Sequence, residues 1–299
     1  MLHTKLLLLL FHPVVLITAT KFDFALIYRI DADPRRHQFL AGAEVSEELG
    51  NATEVILNQK VPIILRSFDL SFMENLHTLT MDNCGVNEIE VGSFRSLESL
   101  KYVNITHNPL KVIKDGIFNY MSVEVLNLSH NKLATISPGA FDNMPRLEHI
   151  ILDYNELTSY AIWFKECPSL VTISAQFNFI QFLAPNIFEN LVDHKLIVQF
   201  SYNKINLVHE DLFDVQEYDE LHLDHNDLED FDVEISKVGV LGLQHNHIDC
   251  LEDEYVKKEL RKARRVFLDD NPINCTCYDR LSRLDNVLVS ACVNEENKE

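Results

Sequence analysis

Apolar residues recur along this chain in a short, regular pattern in which they alternate with polar ones. In residues 123–133 (VEVLNLSHNKL) the fourth and sixth positions, Leu126 and Leu128, are apolar, and the fifth and seventh are polar. This is the period of a β-strand with one buried face. The unit recurs at intervals of 20 to 25 residues, and its ninth positions are Cys84, Asn108, Asn131, Asn155, Asn178, Asn203, Asn226, Asn246 and Asn271. Nine units in register predict a tandem repeat.

The spacing also predicts how the units stack. A strand this short is not stable alone, but parallel strands about 4.8 Å apart, one per coil, share a single core. We expect the ninth-position asparagine to turn inward, because its amide carries two donors and an acceptor for backbone groups at the bend. A second series, one phenylalanine per unit, predicts a stacked apolar spine in the return segments: Phe68, Phe94, Phe118, Phe141, Phe164, Phe188 and Phe213.

The pattern L-x-x-L-x-L-x-x-N-x-L resembles the signature of the leucine-rich-repeat family. The resemblance implies an α/β solenoid, a horseshoe with a parallel β-sheet on its concave face and irregular or short helical segments on its convex side. We expect about nine or ten coils in residues 54–273. Residues 21–53 form an N-terminal flanking segment, and residues 274–299 form a C-terminal cysteine cap and an acidic tail.

The N-terminal residues predict a secreted protein. One lysine, a short apolar run and small residues describe a signal peptide in residues 1–20, and no second stretch of spanning length follows it. We therefore expect a soluble, extracellular product without a membrane span. Four glycosylation sequons fit that compartment, at Asn51, Asn104, Asn127 and Asn274, although the repeat pattern itself produces the two central ones.

The cysteines predict a small cap at the C-terminal end. The sequence from Asn271 to Cys277 (NPINCTC) resembles the opening of the family's C-terminal cysteine cap, but only Cys292 follows it. Cys250 is the candidate fourth cysteine. We favour Cys250–Cys275 with Cys277–Cys292, while all three pairings remain open. We expect Cys84 and Cys167 to be buried outside the disulfides. Because no cysteine precedes Cys84, the N-terminal end is covered either by residues 21–53 or by a partner.

A net charge of −20 argues against nucleic acid and anionic membranes as the main partners, because both require a basic face. Twelve acids and no lysine or arginine lie between Glu210 and Glu234. This stretch is either a solvated flank or a docking patch for a basic partner. The basic residues between Lys257 and Arg265 are expected to pair with it, and a glycan contact is the alternative.

The position just before each asparagine predicts a column of side chains along one rim of the sheet. Histidines occupy it near both ends, and the middle coils hold Tyr154, Phe177 and Tyr202. With His149, Ile151, Ile197 and Phe179 nearby, these residues predict an exposed binding hot spot. The alternative is that a terminal segment covers the rings or that they pack on one another. We interpret the histidines as repeat residues and expect no metal site and no cofactor.

The sequence contains no nucleophile motif, phosphate-binding loop or metal-ligand motif, so we expect no enzymatic activity. The resemblance implies ligand recognition on the concave face, as in soluble leucine-rich-repeat proteins of innate immunity. The expected partner is a protein or a glycan, and the acidic stretch favours a basic one. The alternative is a structural or assembly protein, either a matrix component or the non-catalytic subunit of a secreted complex.

Overall fold

The computed structural model describes residues 25–31, 33–41, 46–57, 60, 62–159, 162–184, 187–188, 191, 195–209, 212, 217–233 and 237–293. The expected signal peptide in residues 1–20 lies outside the described residues. The strands and helices follow the chain as β1 (Leu26–Ile30), β2 (Asp33–Phe39), α1 (Glu47–Gly50), β3 (Glu54–Leu57), β4 (Ile63–Leu65), β5 (Thr78–Asp82), β6 (Val86–Ile89), β7 (Tyr102–Thr106), β8 (Val112–Ile113), β9 (Val125–Asn127), β10 (Thr135–Ile136), β11 (His149–Ile151), β12 (Thr172–Ser174), β13 (Phe182–Leu183), β14 (Leu196–Gln199), β15 (Leu207–Val208), β16 (Glu217–His222), β17 (Lys237–Gly242), α2 (Asp253–Lys258), β18 (Arg265–Phe267), α3 (Cys275–Leu281) and β19 (Val287–Leu288).

One large sheet runs the length of the described molecule. Its 13 strands lie in the order β19-β18-β17-β16-β14-β12-β11-β9-β7-β5-β3-β1-β2, and every pairing from β3 to β19 is parallel. Three two-stranded sheets, β4 with β6, β8 with β10, and β13 with β15, join the return segments on the other side of the coils. The predicted solenoid with a parallel sheet and few helices is therefore confirmed.

The register of the sheet places equivalent residues of successive coils side by side. Leu126 pairs with Ile150, Ile150 with Ile173, and Ile173 with Val198, and all four side chains are fully buried. The apolar residues selected by the alternating pattern thus form one continuous core along the coils, as the period of two requires.

The repeated asparagines connect each coil to its neighbour. Asn155 donates from Nδ2 to the carbonyls of Leu128 (3.0 Å) and Leu152 (2.9 Å), and its Oδ1 accepts from the N–H of Leu133 (3.0 Å). The same arrangement recurs at Asn178, Asn203, Asn226, Asn246 and Asn271. The inward amide therefore satisfies the backbone groups that the bend removes from the strand ladder.

The phenylalanine spine is confirmed for most of its length. Successive rings pack at centroid distances of 5.3, 6.0 and 5.5 Å along Phe94, Phe118, Phe141 and Phe164, and Phe188 is also buried. The prediction is wrong for Phe68, which is 52% exposed, because its interval to Phe94 exceeds the repeat by two residues and Leu70 fills the buried place. Phe213 lies outside the described residues.

The N-terminal end of the sheet is closed by an antiparallel hairpin. Strand β1 pairs with β2 on one side and with β3 on the other, where Leu26 meets Leu57 and Tyr28 meets Val55. Leu49 of α1, which lies between the hairpin and β3 in the chain, is completely buried. Of the two expectations for this end, packing by the chain's own flanking segment is therefore the one that the structure shows.

The C-terminal end carries two disulfides, Cys250–Cys277 and Cys275–Cys292. The four cysteines are those expected, but the favoured pairing of Cys250 with Cys275 is wrong. Asn274 and Val293 form a parallel β-bridge. This bridge brings their chain neighbours, Cys275 and Cys292, to a Cα–Cα distance of 4.8 Å. Helix α3 then turns Cys277 back towards the preceding coil.

Cys84 and Cys167 are buried outside both disulfides, as expected. The thiol of Cys84 lies 3.1 Å from the carbonyl oxygen of Leu57, and that of Cys167 lies 3.0 Å from the carbonyl oxygen of Phe141. In both places the sulfur contacts the backbone of the preceding coil, so these residues act as core groups.

Candidate binding surfaces

Each repeated strand ends in a left-handed residue that directs its side chain to one edge of the sheet. This residue precedes the inward asparagine, and its φ lies between 50° and 59° from Asn83 to Asp270. A residue with a Cβ pays roughly 1–2 kcal/mol for this conformation. Inter-coil hydrogen bonds help to hold it, such as those from the N–H of Tyr154 to Gln176 (2.9 Å) and from the N–H of Tyr202 to Asp224 (3.0 Å).

Seven rings at these positions form one stacked series, which we call the ring column. Its members are His107, His130, Tyr154, Phe177, Tyr202, His225 and His245. Neighbouring centroids lie 4.0–4.4 Å apart and the interplanar angles are 7–15°. The rings therefore pack on one another, as one of the two sequence interpretations stated, and what they present to solvent is their edges.

The middle of the ring column remains accessible. Tyr154 is 44% exposed, Tyr202 is 40% exposed and Phe177 is half-buried. Phe179, on the far side of the inward Asn178, is 45% exposed, and the ammonium of Lys204 lies 5.3 Å from the centre of its ring. The exposed ring edges and Phe179 can pack against apolar groups of a partner, and the face of Phe179 already carries the cation of Lys204.

An open depression of about 630 Å³ joins part of the predicted hot spot. It is lined by Tyr154, Phe177 and Phe179 together with Asn131, Asn155 and Glu156. His149, Ile151 and Ile197 do not line it. They are half-buried on the outer face of strands β11 and β14. The structure thus divides the predicted residues between a rim depression and the sheet face beside it.

Carboxylates pair with the histidines at both ends of the ring column. Asp82 lies 2.8 Å from Nδ1 of His107, and Asp270 lies 3.3 Å from Nε2 of His245. The pKa of Asp82 is lowered, chiefly by the hydrogen bond from the Thr106 hydroxyl and then by His107. Asp82 belongs to the preceding coil, so the sequence alone did not indicate that it lies beside His107.

His225, which stacks between Tyr202 and His245, has a different environment. The pKa of His225 is lowered, first by burial and then by the neighbouring His245, against the opposing effect of Asp224 and Asp270. Face-to-face imidazoles 4.0 Å apart disfavour a second positive charge.

Two of the predicted glycosylation sites are direct neighbours. Asn104 of β7 and Asn127 of β9 are register partners, and both are half-buried on the outer face of the sheet. Asn51 is exposed after α1, whereas Asn274 caps α3 by accepting from the N–H of Cys277 at 2.8 Å. Occupancy of the four sequons stays a prediction.

The basic segment, residues 257–265, contains its own counter-charge, Glu259. Lys262 and Lys258 lie 2.6 and 3.6 Å from the carboxylate oxygens of the buried Glu259. The expected pairing with the acidic flank therefore does not account for these two lysines. Arg280 forms an ion pair with Asp253 of α2.

Within the described ranges, every helix falls short of the length and apolar character that a membrane crossing requires. In the same ranges, no three His, Cys, Asp or Glu side chains are grouped as metal ligands would be.

Comparison with known proteins agrees with this architecture. A family model described as leucine rich repeat matches residues 74–133 and 102–157. No curated protein sequence matches the chain significantly. Together the two matches cover residues 74–157 of the 299.

Solved structures extend the similarity over most of the chain. The mouse RP105/MD-1 complex matches with a TM-score of 0.61 and 19% identity over 77% of this chain and 41% of that one. The Drosophila Toll–Spatzle complex matches with a TM-score of 0.59 and 16% identity over 83% and 38%. The leucine-rich-repeat domain of APL1B matches with a TM-score of 0.53 and 21% identity over 76% and 78%.

The chain thus spans less than half the length of the first two proteins, and at these identities the similarity concerns the fold. The regular repeat, the asparagine connections between coils and the 13-stranded sheet agree with this similarity: the chain has the leucine-rich-repeat fold, and its residues 74–157 match the family's repeat model.

Proposed function

We propose that this chain is a secreted recognition protein that binds a protein ligand at the middle of the ring column and on the adjoining sheet face. One observation carries the proposal: Tyr154, Phe177 and Phe179 line an open depression although the core does not require them to be apolar. Clustered, accessible aromatic side chains are the residues that most often dominate protein interfaces.

Further observations support the same proposal. Two of the similar structures are complexes with a named partner, MD-1 for RP105 and Spatzle for Toll. The two disulfides suit an oxidising compartment, and the apolar leader and the sequons point to secretion. The Toll complex is described as a hub in development and innate immunity, and an immune role is the finer form of our proposal.

The test compares two exposed phenylalanines three residues apart. Phe179→Ala removes a ring of the depression, and Phe182→Ala removes a 38% exposed ring from β13 in the return segment. Both proteins are expressed with the leader, their mature N-termini are sequenced, and proteins captured from the native extracellular fluid are identified by mass spectrometry.

We expect Phe179→Ala to lose a specific ligand by about tenfold or more, as truncation of an interface anchor does, while Phe182→Ala retains it. Both variants should melt close to the wild type. Equal retention of the ligand by both variants would place the site elsewhere. Co-purification of a catalytic chain in equal amounts with all three proteins would favour an assembly role instead.

A further inference from the structure

A second cavity lies on the return segments, at the side from which the chain enters the strands. Its volume is about 670 Å³, and its walls come from residues 91–98, 115–122 and 142–143 of three successive coils. The first two segments precede β7 and β9, whereas the ring column follows the ends of the strands. The two surfaces therefore lie at opposite ends of the parallel strands, and this cavity is separate from the site proposed above.

Tyr120 is the most unusual residue of this cavity. It is 79% exposed and has a φ of 66°, in the left-handed region that bulky side chains avoid. Asn143 adopts the same conformation at the equivalent place one coil later, with a φ of 57°, and asparagine is well suited to it. A tyrosine held in this conformation and turned to solvent contributes little to the fold, which points to contact with a ligand.

The charge of the cavity is unbalanced. Three carboxylates, Glu98, Asp115 and Asp142, line it together with a single cation, Arg95. The Arg95 guanidinium packs over the ring of Phe68, 5.4 Å from its centre. Lys165 approaches Asp142 from outside the lining and partly offsets its charge. The lining is negative and therefore favours a cationic ligand.

Asp142 supplies an acceptor that the protein itself does not use. Its Oδ1 is buried and accepts no hydrogen bond from the described residues. Burial raises the pKa of this carboxyl, and nearby Asp115 raises it further. A buried oxygen without a donor is unfavourable, so rotation of the carboxyl towards a cationic donor in the cavity would give this oxygen a partner.

From these features we propose that the cavity binds an arginine side chain carried by an extended segment of a protein partner. The guanidinium would lie against the exposed Tyr120 ring and donate to Asp142. Arginine suits both contacts, because its planar cation stacks on aromatic rings and forms directed hydrogen bonds with carboxylates. Its aliphatic stem can pack against the apolar residues of the lining, among them Leu97, Ile117 and Met121. A sulfated glycan or a nucleic acid would be repelled by the same carboxylates.

The test uses two labelled seven-residue peptides that differ only at their centre, arginine in one and its neutral isostere citrulline in the other. Binding to the full secreted chain is followed by fluorescence anisotropy up to about 1 mM protein, where a weak single-residue anchor is still measurable. We expect the arginine peptide to bind at least about fivefold more tightly than the citrulline peptide.

Two variants assign the binding to the cavity. Tyr120→Asn introduces the residue that the next coil uses at this place, so the melting temperature should be unchanged or raised while affinity falls about fivefold. Asp142→Asn should weaken binding by a similar factor. Glu229→Gln, an exposed carboxylate on another coil, and Phe179→Ala at the rim should bind the arginine peptide like the wild type.

Three results would overturn the proposal. Equal or absent binding of the two peptides would show that a cation is not recognised. Unchanged affinity in Tyr120→Asn or Asp142→Asn would place any binding elsewhere. A clear drop in the melting temperature of Tyr120→Asn would show that the tyrosine serves the fold. Phe179→Ala distinguishes the two proposals, because it should weaken ligand binding at the rim depression and leave binding of the arginine peptide in the cavity unchanged.

Discussion

Asn155 and Asn131 occupy equivalent places in adjacent coils, but their side chains are not equally satisfied. Both donate to their own coil and to the preceding one: across the coils Asn155 donates to the carbonyl of Leu128 at 3.0 Å, and Asn131 donates to that of Ile105 at 2.7 Å. The Oδ1 of Asn155 accepts from the N–H of Leu133, whereas the Oδ1 of Asn131 is buried and has no partner among the described residues. The hydrogen bond that the asparagine Oδ1 accepts in the other coils is therefore missing at Asn131, whose preceding coil contains the Asn108-Pro109 turn.

This difference predicts unequal effects of truncation. Asn155→Ala should lower the free energy of unfolding by roughly 2–3 kcal/mol, because it leaves a buried N–H and several carbonyls unpaired. Asn131→Ala should cost about 1 kcal/mol less, since the wild type already lacks one bond there. Chemical denaturation of both variants measures the difference, with the exposed Asn87→Ala as a control near zero. Equal losses would mean that the missing bond has no energetic consequence.

The inward turn of these asparagines could be predicted from residue chemistry, because a bend frees backbone groups that an amide can satisfy. The positions of Phe68 and Tyr120 could not. Phe68 was placed in the core from its residue type alone, although it lies two residues out of the repeat period. Tyr120 shares its left-handed backbone with Ser96, Asn143 and Glu166 of other coils, but these residues have no side-chain type in common, and the cavity appears only when three return segments come together.

At the scale of elements, the strand spacing determines the ring column. Parallel strands place successive coils about 4.8 Å apart, and the rings at the strand ends tilt into contact at 4.0–4.4 Å. The sequence predicted the column because the position before each asparagine is fixed by the period. The sequence did not decide between exposed faces and stacked faces, because that choice depends on the left-handed φ shared by all seven residues.

The ring column predicts a dependence of stability on pH. The folded-state pKa of His225 lies below its ordinary value of 6.5 because of burial and His245. As the pH falls through about 6.5, the unfolded chain binds this proton first, so stability present above that pH is lost below it. His225→Phe keeps a ring between Tyr202 and His245 and removes the titration. Its melting temperature should therefore decrease less than that of the wild type between pH 7.5 and 5.

The control for this experiment is His247→Phe, which replaces a histidine that lies outside the ring column. His247 Nε2 lies 3.6 Å from Asp227, so this variant tests loss of a surface histidine contact, and it should not show the smaller decrease in melting temperature that is expected of His225→Phe. Parallel profiles for His225→Phe and the wild type would show that the column does not disfavour protonation of its inner histidine.

At the scale of the whole molecule, the two ends of the solenoid are closed by different means. Hairpin β1–β2 completes the N-terminal edge by backbone pairing, and two disulfides hold α3 and β19 at the other end. The repeated interior could be predicted from sequence because every coil repeats the same pattern. The ends could not, because the hairpin has no repeat register and the disulfide pairing depends on how α3 turns.

Coils of a repeat protein contact only their neighbours, so loss of one end should remain local. We expect reductant at neutral pH to accelerate amide hydrogen exchange in β17, β18, α3 and β19, while β7 to β12 keep their protection. Removing such cross-links typically lowers stability by about 2–4 kcal/mol. Alkylation under the same conditions should modify the four cap cysteines and spare Cys84 and Cys167, since both are buried and burial raises the pKa of the Cys167 thiol to about 11. Uniform loss of protection along the sheet, or early alkylation of Cys167, would show that the solenoid opens as one cooperative unit and that the disulfides support all of it.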